Sequence, residues 1–316
     1  MLARTPRTIL GKIALDLERA LERRAVLGTA ANASAKRLAT GDGWWVDDVV
    51  CTSGPGDRTF EEVHESVSVS AVVAGTFQYR SSFGRDVLTP GSLMLGHPGQ
   101  LFECGHDHAR GDRCVAFHFS PDLFERIAAD AGVPRGERSF RASRVPPASE
   151  LSKFVARASI ELTKQSAGAS DSIWEETAFG IAATAIRLSS QTTPTRGDAP
   201  ASVAARVTES VRRIDREPGA AWTLSDLAAE ARLSPYHYLR TFTRLTGVTP
   251  HQFVLRTRLR AAAIRLAADD AKVIEIALAS GFNDVSNFNR AFREEIGLAP
   301  RNYRRRSRSA VSRESR

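Results

Sequence analysis

The chain is poor in the residues that mark several large classes of protein. It carries three cysteines in 316 residues, Cys51, Cys104 and Cys114. That is too few, and odd in number, for a disulfide framework, so the expected compartment is a reducing, cytoplasmic one. No run of about 18 apolar residues occurs, which excludes a membrane-spanning helix. The opening stretch "MLARTPRTILGKIALDLERALERR" lacks a compact apolar block ahead of a small-residue cleavage site. It reads as an amphipathic helix, or as the product of an upstream start codon, and not as a signal peptide. Lysine is scarce, 5 against 39 arginines, a bias that hints at GC-rich coding. No paired acid and base and no nucleophile constellation stands out beyond a few histidines.

What is present is a soluble, globular composition, 42% hydrophobic and 25% charged, long enough for about two domains. The positive charge is unevenly placed. Residues 203–316 hold 21 Lys and Arg against 12 Asp and Glu, a net of +9, and the rest of the chain nets −1. A module that meets a polyanion has this asymmetry. The stretch "SSQTTPTRGDAPAS" (Ser189 to Ser202) has little to bury and reads as a linker, at the point where the charge balance changes.

Ahead of that linker, Trp44 to Phe119 reads as β structure. "VSVSAVVAGTFQYR" and "RCVAFHFS" alternate, and "TPGSLMLG" is a turn into a short strand that sends Leu93 and Leu95 into a barrel. From Pro121 to Ser190, "SPDLFERIAADAG", with Ser120 as cap, "SELSKFVARASIELTKQS" and "DSIWEETAFGIAATAIRLSS" read as helices. The fold class expected is α+β: a small barrel with following helices, then an all-α domain of two helix-turn-helix units joined by a long helix. The expected boundaries are 1–40 for an N-terminal helical extension, 41–120 for the barrel and 121–190 for a helical region. Residues 191–202 form the linker, 203–305 the all-α domain, and 306–316 a basic tail.

The all-α domain contains a repeat. "SPYHYLRTFTRLTGVTP" (Ser234 to Pro250) and "DVSNFNRAFREEIGLAP" (Asp284 to Pro300) match in register at Tyr238 and Phe288, Arg240 and Arg290, Phe242 and Phe292, Gly247 and Gly297. Each copy follows a short helix and a tight turn, which makes two helix-turn-helix units. Tyr238, Phe242 and Leu245 share one face, as do Phe288, Phe292 and Ile296, and these faces are core. Tyr236, Leu239, Arg240 and Arg244 then point outward, with Ser286, Asn287, Asn289 and Arg290 in the second copy. Arginine pairs bidentately with guanine and asparagine with adenine. Two such helices rigidly joined suit successive major grooves, roughly 34 Å apart.

These residues resemble the DNA-binding domain of the AraC/XylS family of bacterial transcription regulators. The motif "GF…F.R.F….G..P..YR" of the second copy carries the resemblance most specifically. It implies that Tyr236, Leu239 and Arg240 of the first helix and Ser286, Asn287, Asn289 and Arg290 of the second face bases. It also implies double-stranded promoter DNA and RNA polymerase as partners, and a homodimer contact from the helices of 121–190. Intramolecular packing is the competing reading of those helices. One departure is Ala231-Arg232-Leu233, where the family often has a glycine in the turn.

The segment "TPGSLMLGHPGQLFECGHDHARGDRC" resembles the turn-and-strand repeat of the small cupin barrels found upstream in that family. Cys104, His106 and His108 would share one strand face. With Cys114, and with His64 on an earlier strand, they form a candidate site for zinc or iron. Thiol redox sensing by Cys104 and Cys114, or a metal-free effector pocket, are alternatives. Cys51 reads as a small buried residue. Trp44 and Trp45 line either the core or a pocket.

The expected function is sequence-specific transcription regulation, with the barrel sensing an unknown effector and no enzyme activity. Two other readings remain: a metal-dependent cupin enzyme using His64, His106 and His108, and a non-specific nucleic-acid coating protein.

Overall fold

The computed structural model describes residues 9–163, 171–192 and 199–314. The chain opens with helix α1 (Ile9–Leu27), then runs through β1 (Ala33–Gly41), β2 (Trp44–Cys51), β3 (Phe60–Val63), β4 (Val67–Gly75), β5 (Phe77–Ser81), β6 (Gly84–Leu88), β7 (Leu93–Gly96), β8 (Leu101–Gly105) and β9 (Asp112–Phe119). Helix α2 (Pro121–Asp130), the short strand β10 (Arg144–Val145), α3 (Ser149–Thr163) and α4 (Asp171–Gln191) complete the first half. The expected cap is in place: the Ser120 hydroxyl accepts from the Leu123 N–H, with Pro121 in the first turn.

The strands pair antiparallel in two sheets that face each other. One has the order β1-β2-β9-β4-β7-β10, the other β3-β8-β5-β6. The larger sheet begins at Ala33, so strand structure reaches into the stretch expected to be a helical extension. β10 adds a strand within the region expected to be helical. Alternation along the larger sheet divides its two faces. Val46, Val69, Val115 and Phe117 turn toward α2, α3 and α4 and form the main core with Leu123, Leu151 and Trp174. Ser68, Ser70, Asp112, Cys114, Ala116 and His118 turn the other way, into a cavity between the sheets.

Leu93 and Leu95 lie on the helix side, in that main core, and Met94 is the β7 residue that reaches the cavity. This reverses the orientation read from the sequence. Both faces of β7 are covered, so its alternation alone does not say which face is inner.

The second half is helical: α5 (Ala201–Arg216), α6 (Leu224–Glu230), α7 (Pro235–Thr246), α8 (Pro250–Ala268), α9 (Val273–Ala279), α10 (Val285–Ile296) and α11 (Pro300–Glu314). Six residues of the expected linker, 193–198, lie outside the described residues, as do residues 1–8 of the expected N-terminal extension. The stretch expected as a basic tail continues α11 through Glu314.

Helix α8 serves two small cores. Phe253 and Val254 near its start pack with Tyr238 and Phe242 of α7 and with Val207, Val211 and Ile214 of α5. Leu259 and Leu266 further along pack with Phe288, Phe292 and Ile296 of α10. Each buried aromatic contributes about 1.5–3 kcal/mol over exposure. The two units are therefore held at a fixed spacing by one continuous helix.

The halves meet along a seam built by the segment from Arg144 to Ser152. The buried Arg144 guanidinium donates from Nη1 to the Val87 carbonyl of β6 (2.8 Å) and to the Leu245 carbonyl at the end of α7 (2.5 Å). Arg256 of α8 donates to the Pro147 carbonyl (2.5 Å). Ser152 bonds Glu295 of α10, which also faces Arg256 at 3.4 Å. The apolar face of α3 packs on α8 and α10, with Ala156 inside the second small core. Intramolecular packing thus covers the α3 face for which the sequence left a dimer contact open.

Candidate nucleic-acid interface and ligand cavity

The two repeated helices are built alike at both ends. α7 starts at Ser234, whose hydroxyl accepts from the His237 N–H, and α10 starts at Asp284, whose carboxylate accepts from the Ser286 and Asn287 N–H groups at 2.9 Å. These bonds satisfy first-turn donors that a helix cannot pair internally. Those backbone bonds hold the Asp284 carboxyl below its ordinary pKa. Both helices end at a left-handed glycine, Gly247 (φ 80) and Gly297 (φ 85). In the turns before them, Gly281 has φ 83 and Arg232 has φ 54, the one non-glycine with positive φ among the described residues.

With Tyr238, Phe242, Phe288 and Phe292 fully buried, the opposite faces are left to solvent. Tyr236 is 69% exposed, and the Arg240 guanidinium lies 5.7 Å from its ring centroid. Arg240, Ser286, Asn287, Asn289 and Arg290 are exposed and Leu239 is half-buried. On α10, Arg290 Nη2 donates to Asn287 Oδ1 at 3.0 Å, so the two side chains that suit guanine and adenine already stand side by side. Arg244 differs from the rest. It is half-buried and also borders Asp86, Asp107 and His108 of the first half, in the cleft beside the seam.

The cavity between the sheets has a volume of about 670 Å³, within the range of small-molecule sites. At one end, His64 stands just past β3, with Nε2 2.8 Å from the Tyr79 hydroxyl and Nδ1 3.0 Å from Ser68 Oγ. Its ring stacks on Phe102. A Cβ at Gly96 would overlap the imidazole, so glycine is needed there for close approach. Burial lowers the His64 pKa to about 4, so the ring is neutral near pH 7. Trp45 and His118 stack at 5.0 Å along another wall, with Asp47 2.6 Å from Arg37. Trp44 points away and packs on Phe179 in the core.

At the far end lie Cys51, His106, Asp112 and Cys114, with Cys104 on the facing sheet. His106 Nε2 is 2.6 Å from Asp112 Oδ1, and Cys114 Sγ is 3.5 Å from Asp112 Oδ2. Burial works against the His106 imidazolium, but its bonds to Asp112 and Cys51 outweigh that and raise its pKa to about 9. Burial pushes the Cys104 and Cys114 thiols up, which keeps them protonated and poorly reactive toward oxidants.

This regroups the candidates read from the sequence. β8 ends at Gly105, so Cys104, His106 and His108 do not share a strand face. His108 falls in the turn beyond and borders the cleft beside Arg244. His64 lines the same cavity as His106 but is bonded to Tyr79 and Ser68. Cys51 and Asp112 were missed. For Asp112 a signal was present in "DRCVAFHF", where Asp112, Cys114, Ala116 and His118 alternate onto one face; for Cys51 there was none.

Two family models match this chain: a helix-turn-helix domain over residues 227–306 and an AraC-like ligand binding domain over residues 50–179. Together they take in well over half of it, the ligand-binding match falling on the first half and the helix-turn-helix match on the second. The chain belongs to the AraC/XylS family of transcription regulators. It is similar to the HTH-type transcriptional regulator MtrA of Neisseria gonorrhoeae, 29% identical over 32% of this chain and 33% of that one. It is also similar to the transcriptional activator NphR of a Rhodococcus species, 40% identical over 26% of this chain and 24% of that one. This AraC/XylS chain thus spans about a third or less of the length of those curated relatives. A solved DNA-binding domain of the global transcriptional factor AdpA, in complex with a target DNA, is 29% identical with a TM-score of 0.32. It covers 33% of this chain and 94% of that one. No helix among the described residues is long and apolar enough to cross a membrane.

Proposed function

We propose that this protein is a sequence-specific transcription regulator acting on double-stranded promoter DNA. The observation that carries the reading is the duplicated helix. α7 and α10 share polar N-caps, left-handed glycine C-caps and buried aromatic pairs, and each leaves a solvent face with Arg and hydrogen-bonding or aromatic side chains. Tyr236, Leu239 and Arg240 read one segment of the site, and Ser286, Asn287, Asn289 and Arg290 read the next. Arg244 acts from the edge of the first reading face. Exposed arginines elsewhere on the basic half hold phosphates, which sets register more than sequence. Such a protein works in the cytoplasm and contacts RNA polymerase at the promoter.

The cavity between the sheets takes the effector. Its apolar rings and serines suit a small organic molecule and its thiols, imidazoles and carboxylates a metal ion. The seam at Arg144 carries its state to the end of α7.

Selection from randomised duplexes with the full chain, at fixed salt, tests the reading. A single enriched consensus longer than one helical turn and without dyad symmetry is expected. Binding with a steep salt dependence but no enriched sequence would instead mark a non-specific coating protein.

A further inference from the structure

Cys51, His106 and Asp112 come from three places in the chain: the end of β2, the turn after β8 and the start of β9. All three are buried, and one ligand atom from each lies within 4.8 Å of the others. Cys114 Sγ stands 3.5 Å from the second oxygen of Asp112, so the carboxylate has the imidazole on one side and a thiol on the other. All three cysteines of the chain line this one cavity. A buried His–Asp pair by itself adds little to stability compared with apolar packing, and it does not require sulfur beside it.

We propose that this end of the cavity is a transition-metal site of the zinc class, held by Cys51 Sγ, the His106 imidazole and the Asp112 carboxylate. A fourth position is open to Cys114 or Cys104.

The donor set decides the class of ion. Sulfur and imidazole favour zinc and its thiophilic neighbours, whereas calcium and magnesium take oxygen shells. Zinc holds sulfur at about 2.3 Å and nitrogen or oxygen at about 2.0–2.2 Å, so neighbouring donors in a tetrahedral shell stand about 3.3–3.8 Å apart. The three donors close on the ion by side-chain shifts of about 1 Å, with His106 and Asp112 parting slightly from 2.6 Å. Zinc takes cysteine as thiolate and imidazole as the neutral ring, so uptake releases protons to solvent and is pH-dependent. Glu62 and Glu65 at the cavity wall favour entry of a cation. The proposal does not depend on the DNA-binding reading, because metal uptake is measured with no DNA present.

The test uses the full chain, purified reduced and without chelator or histidine tag, then loaded with zinc alone and dialysed. One zinc per chain is expected by elemental analysis. X-ray absorption at the zinc edge should show at least one sulfur in the shell together with nitrogen or oxygen. Cys51→Ser and Asp112→Asn should each weaken zinc at least about tenfold in competition with a chromophoric chelator, with folding followed by circular dichroism. Zinc well below one per chain, a shell without sulfur, or unchanged affinity in both folded variants would overturn the site. The absorption spectrum needs only the unmodified chain, so a variant that fails to fold does not protect the proposal.

Discussion

At the residue scale, the arginines of the two repeated helices separate by surroundings. Arg240 lies against Tyr236 and Arg290 donates to Asn287, so each is held in place before any DNA arrives. Arg240→Ala and Arg290→Ala should each cost about 1–3 kcal/mol on the selected site and little on unrelated duplexes, measured by titration at constant salt. Equal losses on every duplex would assign them to phosphates. His64 gives a second residue-level prediction. Its pKa falls from an ordinary 6.5 to about 4, first because burial penalises the charged ring and then because His118 and His97 lie nearby. The unfolded ring takes up a proton below pH 6.5 and the folded one resists until about pH 4. The stability it contributes is complete above pH 6.5 and is lost as pH falls through that window. Burial also lowers the pKa of His97 and His118, which adds in the same direction. Melting temperatures at pH 7.5 and 5 should therefore converge in His64→Gln relative to the unmodified chain. Parallel slopes would contradict the assignment.

At the scale of elements, the two turns before the repeated helices differ in the residue at their left-handed position. Arg232 adopts φ 54 where the second unit has Gly281 at φ 83. A side chain in the left-handed region costs on the order of 1–2 kcal/mol, partly offset by its lower unfolded entropy. Arg232→Gly should therefore stabilise the first unit by up to about 1 kcal/mol in chemical denaturation. Gly281→Ala should destabilise the second by about 1–2 kcal/mol, since its Cβ would also meet the Arg258 guanidinium at 2.9 Å. A loss of stability in the first variant would count against strain at Arg232. The helices were legible in the sequence because their signals are local: Ser234, Asp284, Thr249-Pro250 and the two glycines cap within a turn. The long helix expected to join the two units is α8, Pro250–Ala268. The strands were legible as strands but not as faces. Both β4 and β7 are covered on both sides, so Leu93 and Leu95 carried no mark of direction. The Cys51–His106–Asp112 group depends on the register of β2 against β9, where Cys51 faces Asp112, and no local pattern encodes that pairing.

At the scale of the whole molecule, the segment from Arg144 to Ser152 touches the first reading unit, the shared helix and the second unit in turn. Arg144→Met keeps the stem and removes the donors. It should speed amide exchange at the end of α7 and along β6 while leaving the N-terminal turn of α10 unchanged. Unchanged exchange at both would mean that Arg144 does not hold the seam. The central claim is that one chain carries two reading heads at a spacing fixed by α8. Hydroxyl-radical footprinting of the full chain on its selected duplex tests this most directly, with Arg240→Ala and Arg290→Ala run beside it. Two protected segments on one face of the DNA, about one turn (roughly 34 Å) apart, are expected, each weakened by only one of the two substitutions. A single protected segment, or both segments fading together in either variant, would contradict the account.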